Sequence, residues 1–143
     1  MLVKLETDQV LRYWEPLKGL IIAAQPVGAV WDRAAEVKLV EAVAMGVLQV
    51  WIEQGPKGTI DAVVSTMFTE DMASGTLGML IYSLTIISKV EGERWVAGFS
   101  TLSKYAKSRG CRRVTAFSHN PKVIELVKKM GGDTSLTLCA VEV

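Results

Sequence analysis

The chain has little of what most often carries chemistry by itself. Among its 143 residues are 2 cysteines and 1 histidine, too few for a disulfide framework and without the spacing of a zinc site. Cys111 falls at a helix-to-strand turn and Cys139 in an apolar run, so both are expected to be reduced thiols in a cytoplasm-like compartment. An excess of either charge is also missing. Lys+Arg 16 against Asp+Glu 15 leaves a net charge of +1, which gives no global field toward nucleic acid or an anionic membrane. Long apolar runs are absent too: Leu77 to Ile87 is interrupted by Gly78, Ser83 and Thr85, and Met1 to Thr7 lacks a basic region followed by an apolar core. Neither a membrane span nor a signal peptide is expected. Glu70-Asp71 stands too isolated for a carboxylate site, so no metal is expected.

What is present is a hydrophobic content of 50%, enough for one core in a chain of this size. No internal repeat, low-complexity tract or linker interrupts it, so residues 1–143 are expected to form a single domain. Leu2 to Leu5 alternates apolar and polar and predicts a short strand. Thr7-Asp8 offers a helix cap, and Val10, Leu11, Trp14, Leu17, Ile21 and Ile22 then recur at helical spacing around Pro16. That proline implies two short helices or one kinked helix. Gln25 to Gly28 is a connector. Asp32 predicts the cap of a helix burying Ala35, Leu39, Val43 and either Ala42 or Met45, and Gly46 predicts its stop.

From Val47 the period changes to two. Val47 to Glu53, Thr59 to Thr69 and Thr76 to Ser88 read as three strands joined by short glycine-containing links, an antiparallel meander. In the last third, Trp95, Phe99, Leu102 and Ala106 share one helical face that Gly110 ends, and a charge at Phe99 is expected to unfold the domain. Val114 to Phe117 is a short strand, Asn120-Pro121 opens a second helix, and Gly131-Gly132 closes it. Ser135 to Val143 is expected as a terminal strand beside Val114, with Leu136 and Leu138 buried. The order predicts an α+β fold, a mixed central sheet flanked by about four helices.

This arrangement resembles the GNAT (Gcn5-related N-acetyltransferase) superfamily, through Ala106-Lys107-Ser108-Arg109-Gly110-Cys111-Arg112-Arg113-Val114 and through the spacing of Asn120 to Gly131. The resemblance covers the final fifty residues or so well and the first ninety by element order. It implies an acetyl-CoA-dependent acyltransferase scaffold, in which closely spaced glycines let a helix N-terminus cradle the coenzyme pyrophosphate. Here the corresponding stretch is Val90-Glu91-Gly92-Glu93-Arg94-Trp95, with Glu93 and Trp95 at two expected glycines. An indole blocks close phosphate approach. A carboxylate about 5 Å from a phosphate adds on the order of 3 kcal/mol of repulsion at an effective dielectric of about 20. Glu91 and Glu93 are expected to complement the helix dipole in the place of an anion. If coenzyme binds at all, the resemblance assigns it Lys89, Gly92, Arg94 and Asn120.

The tyrosine that the family often uses as general acid falls on Val127, which cannot donate a proton. Tyr82 on the third strand of the meander or Tyr105 could substitute for it, and Glu53, Asp61 and Glu70 are candidate bases, none of which stands out. His119, between Ser118 and Asn120, is expected to serve a turn, because neighbours on a strand point to opposite faces. Lys104, Lys107, Arg109, Arg112 and Arg113 cluster near one helix end, where cations complement the dipole. With only Tyr105 interleaved, a nucleic-acid surface is not expected. Trp31 and the Met72 to Thr76 turn are the expected contacts for a protein partner or a second copy. Small divergent chains of this type resemble GNAT-like proteins carried by tailed bacteriophages. A non-catalytic structural or virion-associated role is therefore expected, with no bound cofactor, and an active N-acetyltransferase is the alternative.

Overall fold

The computed structural model describes residues 1–25, 29–141 and 143, so the Pro26 to Gly28 part of the predicted connector lies outside the described residues. Strand β1 (Leu2–Lys4) is followed by helices α1 (Thr7–Arg12), α2 (Trp14–Ala23) and α3 (Arg33–Ala44). The meander β2 (Leu48–Gln54), β3 (Ile60–Glu70) and β4 (Leu77–Ile86) comes next, then α4 (Gly92–Ser108), β5 (Val114–Ala116) and α5 (Pro121–Lys129). The five strands form one sheet in the order β1-β2-β3-β4-β5. Every pairing is antiparallel except that of β5, which lies parallel to β4. The fold is α+β with a mixed sheet, as the sequence predicts.

Local chemistry explains most boundaries. Pro16 has no N–H to give the carbonyl of Arg12, so the first helical segment breaks at Tyr13 into α1 and α2. This raises the helix count to five. Glu6 is the N-cap of α1 in place of Thr7 or Asp8, and its backbone N–H donates to the Gln9 side chain at 2.8 Å. Asp32 caps α3 by accepting from the Ala35 N–H, and Asn120 caps α5 by accepting from Lys122. Gly58 meets the expectation of a left-handed hairpin residue with φ 74°. Gly55 serves a different need: a β-carbon there would overlap the side chains of Thr59 and Asp61.

Two cores lie on opposite faces of the sheet. Val10, Leu17, Ile21, Leu39 and Val43 of α1 to α3 pack on Leu48, Val50, Ile52 and Val63. Leu102 and Ala106 of α4 pack on Leu2, Trp51, Val64 and Met79. The alternation of β2, with Val50 and Ile52 toward one face and Trp51 toward the other, is the period-two signal at work. Met45 is exposed, leaving Ala42 as the partly buried residue of that pair.

The predicted terminal strand does not form. Ser135 to Val141 is unpaired and leaves Leu136 and Leu138 exposed, so β5 is the sheet edge. The reason is local: Asp133 accepts from both the N–H and the hydroxyl of Ser135, a turn that competes with extension of the ladder. Phe117 is likewise exposed and outside β5. Among the described residues no helix is long and apolar enough to cross a membrane.

Phe99 is half-buried, whereas Leu102 on the same face is 4% exposed and Met79 opposite is fully enclosed. The unfolding substitution therefore shifts one turn along α4. Leu102→Asp is expected to abolish the cooperative thermal transition by circular dichroism, while Phe99→Asp retains it at a lower Tm. Met79→Ala should cost about 2–5 kcal/mol in denaturant unfolding.

Candidate functional site

The functional question centres on the link from β4 to α4, and two features of the sheet shape it. Ser65 pairs with Ser83 and Thr66 with Ile81, so Tyr82 is an extra residue that bulges β4. β5 pairs only with Met79 to Ile81, and beyond that point β4 runs on to Ile86 without it. The chain then turns through Ile87 to Val90 into α4, with Glu91 as N-cap and Gly92, Glu93 and Arg94 as its first turn.

That turn is tied to the sheet by a group of charges. Arg94 donates from Nε to Glu53 Oε1 at 3.0 Å, from one terminal nitrogen to Asp61 Oδ2 at 2.7 Å, and from the other to the Gln54 carbonyl at 3.0 Å. The Met1 amino group also donates to Glu53 Oε1 at 2.8 Å. Asp61 accepts further bonds from the hydroxyls of Ser88 at 2.6 Å and Thr59 at 3.0 Å. The backbone N–H groups of Ile87 and Ser88 donate to the Asp61 carbonyl. Hydrogen bonds from Ser88 and then Arg94 hold the Asp61 carboxyl below its ordinary value, and Asp61 and Glu53 in turn raise the Arg94 guanidinium. Glu53, Asp61 and Arg94, separate candidates in the sequence, are joined by the structure in one network.

The remaining predicted positions are dispersed. Lys89 is exposed on the link. Gly92 is open, since a β-carbon there would meet nothing within 4 Å. Asn120 spends its side-chain oxygen on the α5 cap. The Trp95 indole folds back along the link and donates to the Val90 carbonyl at 3.1 Å. Glu91 makes no side-chain bond to the first-turn N–H groups, so its contribution there is through the dipole alone. Tyr82 packs against the core beneath α1 to α3, and burial pushes its phenol up. Glu53, two residues on from Trp51, faces the α4 side. The structure thus sets the two catalytic candidates on opposite faces of the sheet.

Glu70 ends β3 and His119 is exposed in the loop before α5. Tyr105 packs edge-on to Trp51 in the α4 core. Val127 is half-buried on α5. Trp31, expected as an exposed anchor, packs partly buried against the first core, whereas Met72 projects fully into solvent. No group of three His, Cys, Asp or Glu among the described residues is placed to hold a metal ion.

Comparison with known proteins identifies the fold. The chain superimposes on glucosamine-6-phosphate N-acetyltransferase from Arabidopsis thaliana with a TM-score of 0.68 at 17% identity, covering 99% of this chain and 97% of that one. The ribosomal-protein-alanine N-acetyltransferase of Brucella melitensis gives 0.68 at 10% identity, over 100% and 98%. An aminoglycoside N-acetyltransferase solved with CoA gives 0.66 at 11% identity, over 99% and 98%. No protein-family model and no curated protein sequence matches the chain. The fold is that of the GNAT acetyltransferases, reached at identities that establish architecture alone.

Two outcomes follow for the Arg94 network. Arg94→Met leaves buried Glu53 without its guanidinium partner and is expected to lower Tm clearly more than Lys57→Met, an exposed control. Because the Asp61 carboxyl lies below its ordinary value of 3.8 when folded, its contribution is full above that value and is lost as the pH falls through the folded value. Tm should therefore drop as the pH is lowered below about 4, and Ser88→Ala should flatten that drop.

Proposed function

We propose that this chain is a GNAT-fold protein that no longer transfers acetyl groups. In this reading it is a structural or interaction component that works with a protein partner or a second copy of itself. The resemblance to GNAT-like chains of tailed bacteriophages points to a virion-associated role, with the host cytoplasm or the particle as its location. No coenzyme is required for that role.

The observation that carries this reading is the commitment of Arg94. A pyrophosphate at the start of α4 needs donors and positive charge, and the one cation of the first turn is spent on Glu53 and Asp61. Redirecting it would leave a carboxylate that is 5% exposed with the Met1 amine as its one charged partner, a costly exchange. Glu91 and Glu93 flank the same turn with negative charge, and the Trp95 ring occupies the link where closely spaced glycines would admit a phosphate. On the catalytic side, Val127 offers no proton, and Glu53 Oε1 is already an acceptor for Arg94 and the Met1 amine.

One observation favours the alternative of an acetyl-CoA-dependent N-acetyltransferase. Gly92 is open and no side chain caps the first turn of α4, so Lys89, Gly92 and the side-chain nitrogen of Asn120 remain available for a shifted coenzyme, with Tyr82 as proton donor.

Thermal melting with acetyl-CoA separates the two. At about millimolar ligand no change in Tm is expected. A ligand present at about 100 times its Kd would add about 2.7 kcal/mol, several degrees for a domain of this size, and such a shift would establish the alternative. Glu93→Gly with Trp95→Gly is expected to gain coenzyme affinity. A double variant that folds and gains none would show that bulk and charge at these positions are not the obstacle.

A further inference from the structure

The net charge of +1 conceals a strong segregation along the chain. Between Lys104 and Lys129 there are eight Lys or Arg residues and one acid, Glu125. The fold gathers most of these cations at one end. Lys104 and Lys107 are exposed on the last turns of α4, and Arg109, Arg112 and Arg113 on the link to β5. Backbone bonds fix that link, since the Arg112 N–H donates to Leu77 and the Arg113 carbonyl accepts from Met79. Lys128 and Lys129 belong to the last turn of α5, where Lys129 pairs with Glu125 at 3.0 Å. Hydrogen bonds from Ser74 hold the Asp71 carboxyl low and those from Ser135 hold Asp133 low, and Arg113 lies close enough to lower both.

The ordinary explanations cover only part of this cluster. A helix dipole favours cations within the last turn, but Arg112 and Arg113 lie beyond it. The carbonyls at the end of α4 are already met by the N–H groups of Arg109, Gly110 and Cys111. Among the described residues, none of Lys104, Lys107, Arg109, Arg112 or Arg113 forms an ion pair. The acids at this end are Glu70, Asp71 and Asp133, and the last two are engaged within their own turns. Arg109 is set in place, its guanidinium 5.7 Å from the centre of Phe68 and 5.9 Å from that of Tyr105. Phe68 comes from β3 and is the second aromatic that the local sequence around Tyr105 does not reveal.

We propose that this end of the molecule, from Lys104 to Arg113, binds the phosphate backbone of nucleic acid without reading its sequence. A protein partner fits it less well. Lysine is depleted from protein interfaces, which depend on apolar and aromatic anchors, and here Arg109 covers the aromatic pair. Phosphate contacts need only donors and positive charge. The site is separate from the first turn of α4, one helix length or about 25 Å away, so it stands whether or not a coenzyme binds there.

Fluorescence anisotropy with labelled random-sequence duplexes of about 20 base pairs tests this. Four neutralised phosphates predict binding that weakens roughly a hundredfold between about 50 mM and about 200 mM salt, equally for two unrelated sequences. Lys107→Glu with Arg112→Glu, which leaves the Arg109 stack in place, should weaken binding at least about tenfold. Lys38→Glu with Lys57→Glu, remote from the site, should not change it. Three results would overturn the proposal: no binding at low salt, full binding by the Lys107/Arg112 variant, or capture of poly-glutamate with duplex ignored. The last would assign the surface to an acidic protein.

Discussion

Glu53 is a carboxylate on the inner face of a sheet, almost without solvent, and it has to be neutralised there. Burying such a group unpaired costs several kcal/mol, and the Arg94 guanidinium from the start of α4 supplies counter-charge beside the Met1 amine. Arg94 bridges Glu53 and Asp61, residues of neighbouring strands, and also takes the Gln54 carbonyl at the mouth of their hairpin. Asp61 gathers the Ser88 and Thr59 hydroxyls and, through its backbone, the N–H groups of Ile87 and Ser88. One guanidinium, through two ionic contacts, thus sets the position of a hairpin, a strand end and a helix start together.

The same contacts limit what the helix start can offer. An anion-binding turn has to keep its donors and charges outward, and this one turns its only cation inward. Needs of fold and ligand compete for a single guanidinium, and the buried carboxylate is the stronger claimant because water cannot compensate its loss. Glu91 and Glu93 agree with that allocation, since the helix end still receives negative charge through its dipole. The exposed, open backbone at Gly92 is a part of the turn that the fold leaves uncommitted.

Much of this architecture is legible in the sequence because it rests on local signals. Period-two alternation marks β2 to β4, Asp32 and Asn120 mark helix starts, and Pro16 marks the break between α1 and α2. The network around Arg94 is not legible in that way. Its partners lie 41 and 33 residues away, and a charge in a strand carries no mark of which distant helix will meet it. Ser135 to Val141 illustrates the opposite error: apolar alternation predicts a strand, but a strand also needs an edge in register, and the Asp133 turn directs the chain elsewhere. The α4 face shows a third case. Helical spacing ranks Phe99 with Leu102, and only the depth of the sheet beneath them separates a half-covered ring from a sealed one.

Charge placement completes the picture of a polar molecule with two unlike ends. Along α4 the N-terminal end carries Glu91 and Glu93 and the C-terminal end Lys104, Lys107 and Arg109, an arrangement that the helix dipole rewards at both ends. Were the dipole the whole cause, the cations would stop with the helix, yet Arg112 and Arg113 continue the series past Gly110, onto a link whose backbone is fixed to β4. Cations held on a rigid link lose little freedom on meeting an anion, whereas the same number on a flexible segment would lose much more. The scaffold therefore rations its positive charge by position: inward at the start of α4, where the fold requires it, and outward at the end, where the fold does not.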